Sequence, residues 1–253
     1  MKFVLLSILL TATISRAQSP SFEAASIKMN NSGRPGSGIS TYPARIKVIN
    51  STLKFCVMVA WNVKDFQVSG GGSWTDTERY DIDATAANPF ARDEYRTMLQ
   101  ALLTDRFGLV IHRETHDKPG YVLVVARNGP KLPPPVDDRS VLFSRTPTGD
   151  TTLKAPNVSM KRFAEALSTT LQAAVVDQTG IEGQFDVSMQ WTPDPASLPR
   201  LKSGEPAPPP PTDAIPGPSI FTALQEKLGL KLESKKVPVE VIFIDRANRP
   251  SEN

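Results

Sequence analysis

The chain has very little of the chemistry that cysteine and histidine supply. Among its 253 residues there is one cysteine, Cys56, and there are two histidines, His112 and His116. A single cysteine excludes an internal disulfide bond, so the fold must be held together by its core alone. Cys56 lies in an apolar stretch, where cysteine is usually a small core residue rather than a reactive thiol.

Charge of one sign and long apolar runs are also scarce. Lys and Arg number 29 and Asp and Glu 26, which gives a net charge of +3. Residues 1–17 contribute Lys2 and Arg16 and no acidic residue, so without them the net charge falls to +1. This balance argues against a broad basic surface, and no nucleic acid partner is expected. Beyond the N-terminus no stretch is long and apolar enough to cross a membrane, so no span is predicted in the mature chain.

The N-terminus is typical of an export signal. Lys2 is followed by the mostly apolar residues 3–10 and by the small-residue exit Ser15-Arg16-Ala17. A charged start, a short apolar core and an A-x-A-like site are the three parts of a secretory signal peptide. We therefore expect residues 1–17 to be removed and the mature protein to be exported, to the periplasm or the medium.

The sequence does contain an internal repetition. Short strings of the first half return in the same order in the second half. The pairs are Asn50-Ser51-Thr52-Leu53 and Asn157-Val158-Ser159-Met160, Tyr80-Asp81-Ile82 and Phe185-Asp186-Val187, and Phe107-Gly108-Leu109 and Leu228-Gly229-Leu230. Such self-similarity predicts two copies of one supersecondary unit.

The repetition sets the predicted domain boundaries. The first unit covers residues 18–127 and the second covers residues 149–253, with a linker at 128–148. The second unit contains a proline-rich insertion at 192–219, where proline excludes helix interiors and central strands. We interpret this insertion as an extended spacer or as a segment that docks a partner.

The second copy decides the secondary structure of the first. The valines of residues 53–63 favour a strand on propensity alone. The equivalent residues 159–171 carry Met160, Phe163 and Leu167 at helical spacing after a Ser159 cap, so both segments are predicted as helices. Ser51 and Thr52 are both candidates for the first N-cap.

The remaining elements complete a predicted α+β fold. Each copy has a second helix that ends at glycine, Gly108 or Gly229. Two strands are expected to close each unit, 109–113 with 121–126 and 230–233 with 239–245. The chain is thus predicted as two tandem related β-α-β-α-β-β units, each a small mixed sheet with its helices on one face.

The candidate catalytic residues are few. His112 and His116 fall on a predicted strand, about 13 Å apart, which is too far to share one metal ion. Asp81 and Asp83 lie two apart on a strand and therefore on one face, where they could act as paired carboxylates or simply face water. We assign no catalytic residue, no metal and no cofactor, and keep Asp81, Asp83 and His112 as candidates for a hydrolase.

The candidate ligand contact is the glycine-rich turn before Trp74. Gly70, Gly71 and Gly72 lack the lysine and helix start of a phosphate-binding loop, so a close-approach turn is the simpler interpretation. Trp74 follows in a polar context, either as a lid over a sheet edge or as a platform for a ligand. Gly71, Gly72 and Trp74 are the predicted contact residues.

Several strings along the mature chain resemble one family. They are Phe22-Glu23-Ala24-Ala25-Ser26-Ile27-Lys28, Phe66-Gln67-Val68-Ser69-Gly70-Gly71 through Trp74, Leu99-Gln100-Ala101-Leu102-Leu103-Thr104-Asp105-Arg106-Phe107, His112-Arg113-Glu114-Thr115, Val176-Asp177-Gln178-Thr179-Gly180, Phe221-Thr222-Ala223-Leu224-Gln225 and Pro250-Ser251-Glu252-Asn253. The chain is similar to secreted proteins of soil bacteria that share a domain of unknown function.

This resemblance implies a role outside the cytoplasm but no activity. Similar domains lie behind membrane metallopeptidases of the β-lactam-sensor type, which implies sensing or binding. More faintly, residues 175–185 resemble the short N-terminal domain of secretins and TonB-dependent receptors, a small interaction module. We expect an exported binding module without catalysis, whose partner is an envelope or extracellular protein or glycan. The alternative is a small hydrolase of envelope or environmental polymers.

Overall fold

The structure is a computed structural model. It describes residues 20–33, 36–91, 93–135, 142–145, 151–193 and 217–251, with 142–145 described by the backbone alone. The predicted signal peptide at 1–17 and most of the proline-rich insertion at 192–219 lie outside the described residues. Within the described ranges, no helix combines the length and apolarity that crossing a membrane requires.

The first half of the chain contains six strands and three helices in the described residues. They are β1 (Ala24–Met29), β2 (Gly38–Tyr42), β3 (Arg45–Thr52), α1 (Leu53–Trp61), β4 (Val68–Gly70), α2 (Trp74–Thr77), β5 (Arg79–Thr85), α3 (Glu94–Phe107) and β6 (Val110–Val125). A short 3-10 turn, Asp65–Gln67, precedes β4.

The second half follows the same order of long elements. They are β7 (Leu142–Arg145), β8 (Thr151–Val158), α4 (Met160–Leu171), β9 (Ala174–Asp177), β10 (Phe185–Trp191), α5 (Ile220–Ala223) and β11 (Leu230–Arg246). A π-helical turn, Leu224–Leu228, continues α5 and ends at Gly229.

The strands form three sheets in the described part of the chain. The first sheet has the order β1-β5-β3-β2, the second β10-β8-β7 and the third β4-β11-β6-β9. The first two sheets are antiparallel, whereas β4 and β9 add to the third in parallel. This mixture of helices and small sheets confirms the predicted α+β class.

The third sheet is built around one long ribbon that the sequence did not predict. β6 and β11 are each continuous and pair antiparallel along nearly their whole length, from Leu230 opposite Val125 to Ile244 opposite Ile111. The predicted pairings of 109–113 with 121–126 and of 230–233 with 239–245 are therefore wrong. Each long strand pairs with the strand of the other half instead of folding back on itself.

Two prolines lie inside this ribbon, although proline usually marks a turn. Pro119 is opposite Lys236 and Pro238 is opposite Asp117. At this point the ribbon has only two strands, because β9 pairs with 120–123 and β4 with 242–244. A proline is tolerated there because the side of the strand without a partner needs no backbone donor.

Two buried clusters lie at the two ends of the ribbon. One contains α1, α3 and the first sheet, with Ile242 and Ile244 of β11. The other contains α4, α5 and the second sheet, with Leu123 of β6 and Leu230 and Leu232 of β11. One face of the ribbon thus contributes apolar side chains to both cores.

The predicted helices are confirmed in both halves. α1 begins after Thr52, whose side chain accepts a hydrogen bond from the Phe55 N–H at 3.1 Å, and Ser159 caps α4 through the Arg162 N–H at 3.3 Å. Gly108 and Gly229 end their helices with φ of 55° and 63°. Cys56 is buried in α1, and burial raises the pKa of its thiol to about 12, so it is a core residue.

Candidate functional site: the open face of the first sheet

The first sheet has one covered face and one open face. Ile27, Ile46 and Ile82 point into the core beneath α1 and α3. Because side chains alternate along a strand, the residues between them point away from the helices. The strand register places these residues in rows, which are Ala24, Thr85, Arg45 and Tyr42; Ser26, Asp83, Lys47 and Ser40; Lys28 and Asp81; and, beside the bulge of β3, Ile49 and Gly38. We call this surface the open face.

The open face carries a broad hollow. Its volume is about 660 Å³, and it is lined by β1, β3 and β5, with Ser26, Lys28, Lys47 and Asp83 among its walls. Polar and apolar side chains mix there, and Ile49 in its wall is about half exposed. The hollow therefore offers both charged and apolar surface to an extended ligand.

Asp83 is held by two cations of β3. The Arg45 Nε donates to Asp83 Oδ1 at 2.6 Å, its Nη2 binds the other oxygen, and the Lys47 Nζ lies 3.9 Å from Oδ2. The hydrogen bond from Arg45 lowers the pKa of the Asp83 carboxyl. Asp83 is thus an ionised carboxylate that already has its partner.

Asp81 shares the open face with Asp83, as predicted, but it is bound to the backbone. Its Oδ1 accepts a hydrogen bond from the Asn50 N–H at 2.8 Å, and its carboxylate also accepts from Asn30 Nδ2. Asn50 is nearly buried and has a φ of 47°, at the bulge where β3 turns into α1. Asp81 therefore supplies an acceptor to a buried backbone N–H.

The same arrangement occurs in the second half. The Asn157 N–H donates to Asp186 Oδ1 at 2.8 Å, and Asn157 has a φ of 52° at the junction of β8 and α4. The recurring asparagine and aspartate in the sequence thus correspond to one local structure, which joins a bulged strand to a helix. The repeated strings mark this junction and not a shared active site.

Lys28 is the uncommitted charge of the open face. Within the described residues its ammonium group makes no hydrogen bond and no ion pair. It lies opposite Asp81 on β1, while Asp81 is already bound to Asn30 and Asn50. The positive charge of Lys28, together with the loosely held Lys47, is therefore available to a ligand.

The predicted contact residues Gly71, Gly72 and Trp74 lie elsewhere, beside β11. A Cβ on Gly70 would lie 2.7 Å from the Ile244 carbonyl oxygen, so the glycine turn lets two backbones approach closely. Trp74 is half-buried against the first core, and the Arg249 guanidinium lies 5.3 Å from the centre of its ring. Arg249 is itself paired with Glu78, so a ligand that stacks on Trp74 must displace it.

The two histidines lie on the ribbon, on a strand as predicted, but their rings are closer than the expected separation of about 13 Å, because both reach Glu114. His112 Nε2 and His116 Nε2 approach the two oxygens of Glu114, at 3.2 and 2.6 Å, and His112 Nδ1 is 2.6 Å from Asp245 Oδ1. The hydrogen bond to Asp245 raises the pKa of His112. Both rings contact Phe243. Across the described residues, no three His, Cys, Asp or Glu side chains are placed to hold a metal ion.

Lys28 and Lys47 were not predicted as residues of the candidate site. The alternation of Arg45, Lys47 and Ile49 does indicate one exposed face of a strand, but not which strands lie beside it. Asp245 was missed as a partner of His112 because the pairing of β6 with β11 joins residues 133 positions apart.

Comparison with known families assigns the chain to one of them. The model of a family described as "Protein of unknown function (DUF3738)" matches residues 54–247, which is most of the sequence. The chain belongs to this family.

Membership in DUF3738 brings no activity with it. No curated protein matches the chain, and no solved structure matches it. The resemblance in sequence to a family without an assigned function is thereby confirmed, while the soil source and the likeness to secretins and TonB-dependent receptors stay predictions.

Proposed function

We propose that this DUF3738 protein is an exported binding module without catalysis, whose ligand lies on the open face. The observation that carries the proposal is the free Lys28 ammonium beside a hollow of about 660 Å³. Export is supported by the charged, apolar and small-residue segments of residues 1–17.

The chemistry of the open face fits a polysaccharide that carries carboxylates. Lys28 and Lys47 offer ammonium donors, and charge-assisted hydrogen bonds to a carboxylate are the stronger ones. Ser26, Ser40 and Thr85 offer hydroxyl groups in the neighbouring rows.

The carboxylates of this face are poorly placed for the hydrolase alternative. Glycoside hydrolysis uses one carboxyl group with a raised pKa as the proton donor. The pKa of Asp83 is lowered by Arg45 instead, and Asp81 is occupied by the Asn50 N–H. These contacts favour binding over turnover on this surface.

A binding assay with charge-reversal variants tests the proposal. The chain from Gln18 is immobilised and exposed to a uronic-acid polysaccharide, a neutral polysaccharide and a poly-Glu peptide. We expect retention of the uronic-acid polymer and a loss of at least about tenfold in the double variant Lys28→Glu, Lys47→Glu, because two attractions become repulsions.

Lys154→Glu is the control for that variant. Lys154 is an exposed lysine of β8 in the second sheet. It precedes the Asn157 junction, as Lys47 precedes the Asn50 junction. It should retain the polymer as the wild type does. Equal binding by the double variant, or retention of none of the three probes, would contradict the proposal, and retention of poly-Glu alone would replace the polysaccharide with a peptide.

A further inference from the structure

The edge strand β2 lacks the features that normally prevent edge-to-edge pairing. Its residues are Gly38, Ile39, Ser40, Thr41 and Tyr42, with no charge and no proline. Natural sheets protect long or apolar edges with lysine, proline or bulges. The opposite edge of the same sheet, β1, does carry a lysine, Lys28.

Two of the large exposed apolar side chains lie beside this edge. Tyr42 is 49% exposed and Ile49 is 53% exposed. Ile49 of β3 is paired with Gly38, whose lack of a side chain leaves Ile49 uncovered toward the edge. Both residues point to the open face. Tyr42 is the last residue of β2, whereas Ile49 lies beside Gly38, the first residue of β2.

We infer that the protein forms a symmetric dimer in which β2 pairs antiparallel with β2 of a second copy, Ser40 opposite Ser40. This register places Tyr42 of each copy opposite Gly38 of the other. Residues directly opposite in an antiparallel pair share a face, so each Tyr42 ring lies in the gap above Gly38 and reaches Ile49 behind it. Tyr42 of each copy thus covers Ile49 of the other, so the contact occurs twice in the dimer.

The pairing also has a consequence for the open face. A twofold axis normal to the sheet keeps both open faces on the same side, so the two sheets of four strands become one sheet of eight. The dimer does not depend on the proposed ligand, and a monomer could still bind on its own four-stranded face. An edge of five residues buries little area, so we expect a weak dimer, with a dissociation constant of about 1 to 100 µM.

Charge at Ser40 tests the dimer by sedimentation velocity on the chain from Gln18. Ser40→Lys places two ammonium groups opposite each other at the axis, whereas in a monomer the new lysine is exposed on an edge strand. We expect self-association to weaken at least about tenfold, since like charges directly opposite are destabilising. Ser26→Lys, in the same row on β1, is the control and should leave the dimer unchanged.

A mixture of two variants separates the dimer from simple damage to the strand. Ser40→Lys and Ser40→Glu should each be monomeric, and mixing them should restore a dimer of one copy of each. A wild-type chain that stays monomeric at about 200 µM overturns the inference, because a weak interface of this class is populated at that concentration. So does a Ser40→Lys variant that dimerises as tightly as the wild type, or a mixture that fails to associate.

Discussion

Asp81 and Asp83 show how two carboxylates on one face can have different roles. Asp83 pairs with exposed cations, whereas Asp81 binds the nearly buried Asn50 N–H. A residue spacing of two predicts the shared face but says nothing of the partners. The hydrogen bond between Asp81 and the Asn50 N–H depends on the backbone conformation of the strand-to-helix junction, where Asn50 has a left-handed φ. The sequence alone does not show this conformation.

Removing each carboxylate should therefore have unequal effects on stability. We expect Asp81→Ala to lower the free energy of unfolding by about 1 to 3 kcal/mol, because it leaves the Asn50 N–H without its acceptor. Asp83→Ala removes a solvent-exposed ion pair and should cost about 0 to 1 kcal/mol. Urea unfolding of both variants measures the difference, and equal losses would contradict the structural role of Asp81.

At the scale of elements, the helices were predictable and the ribbon was not. α1 was identified although its valines favour a strand, because the equivalent α4 displays clear helical spacing. The same comparison failed for β6 and β11, since a proline in the middle of an apolar strand normally marks a turn. Pro119 and Pro238 are accepted because each lies where the ribbon has a free side.

The open face was only half predictable for the same reason. The alternation in Arg45, Lys47 and Ile49 reveals which residues of β3 are exposed. Lys28 and Asp83 join them only through pairing of β1 with β5 and of β5 with β3. Such long-range register is set by packing of the whole sheet, which a single strand does not encode.

The glycines that end the two long helical segments should differ in how strictly they are required. A Cβ on Gly229 would lie 1.9 Å from the carbonyl oxygen of Gly129, a backbone atom, whereas a Cβ on Gly108 would meet only the Asn248 side chain at 2.9 Å. Both have a left-handed φ, which costs alanine about 1 to 2 kcal/mol. Gly229→Ala adds a backbone clash to that cost.

Thermal or urea unfolding of the two alanine variants tests this difference. We expect Gly229→Ala to destabilise the protein by about 2 kcal/mol more than Gly108→Ala, because overpacking against backbone forces the chain to shift. The comparison is internally controlled, since φ is 63° at one glycine and 55° at the other. Equal destabilisation would show that residues 126–131 move away from Gly229 at little cost.

At the scale of the whole molecule, two cores share one ribbon. We propose that the two halves arose by duplication. They share the order of their elements and the junctions at Asn50 and Asn157, and their last strands, β6 and β11, pair with each other. The second sheet has Ser188 where the first has Asp83, and Lys154 where the first has Lys47. The halves thus keep the junction and this lysine but differ at the carboxylate, and we propose that only the first half binds the ligand.

Lysine footprinting in the presence of the uronic-acid polysaccharide tests whether the ligand binds on the open face. The mature chain is acetylated with and without the polymer, and the modified lysines are quantified by mass spectrometry. If the polymer binds on the open face, Lys28 and Lys47 are protected from acetylation, while Lys154 is acetylated to the same extent in both samples. Unchanged acetylation of Lys28 and Lys47 under conditions where the polymer is bound would place the binding site elsewhere and contradict the proposed function.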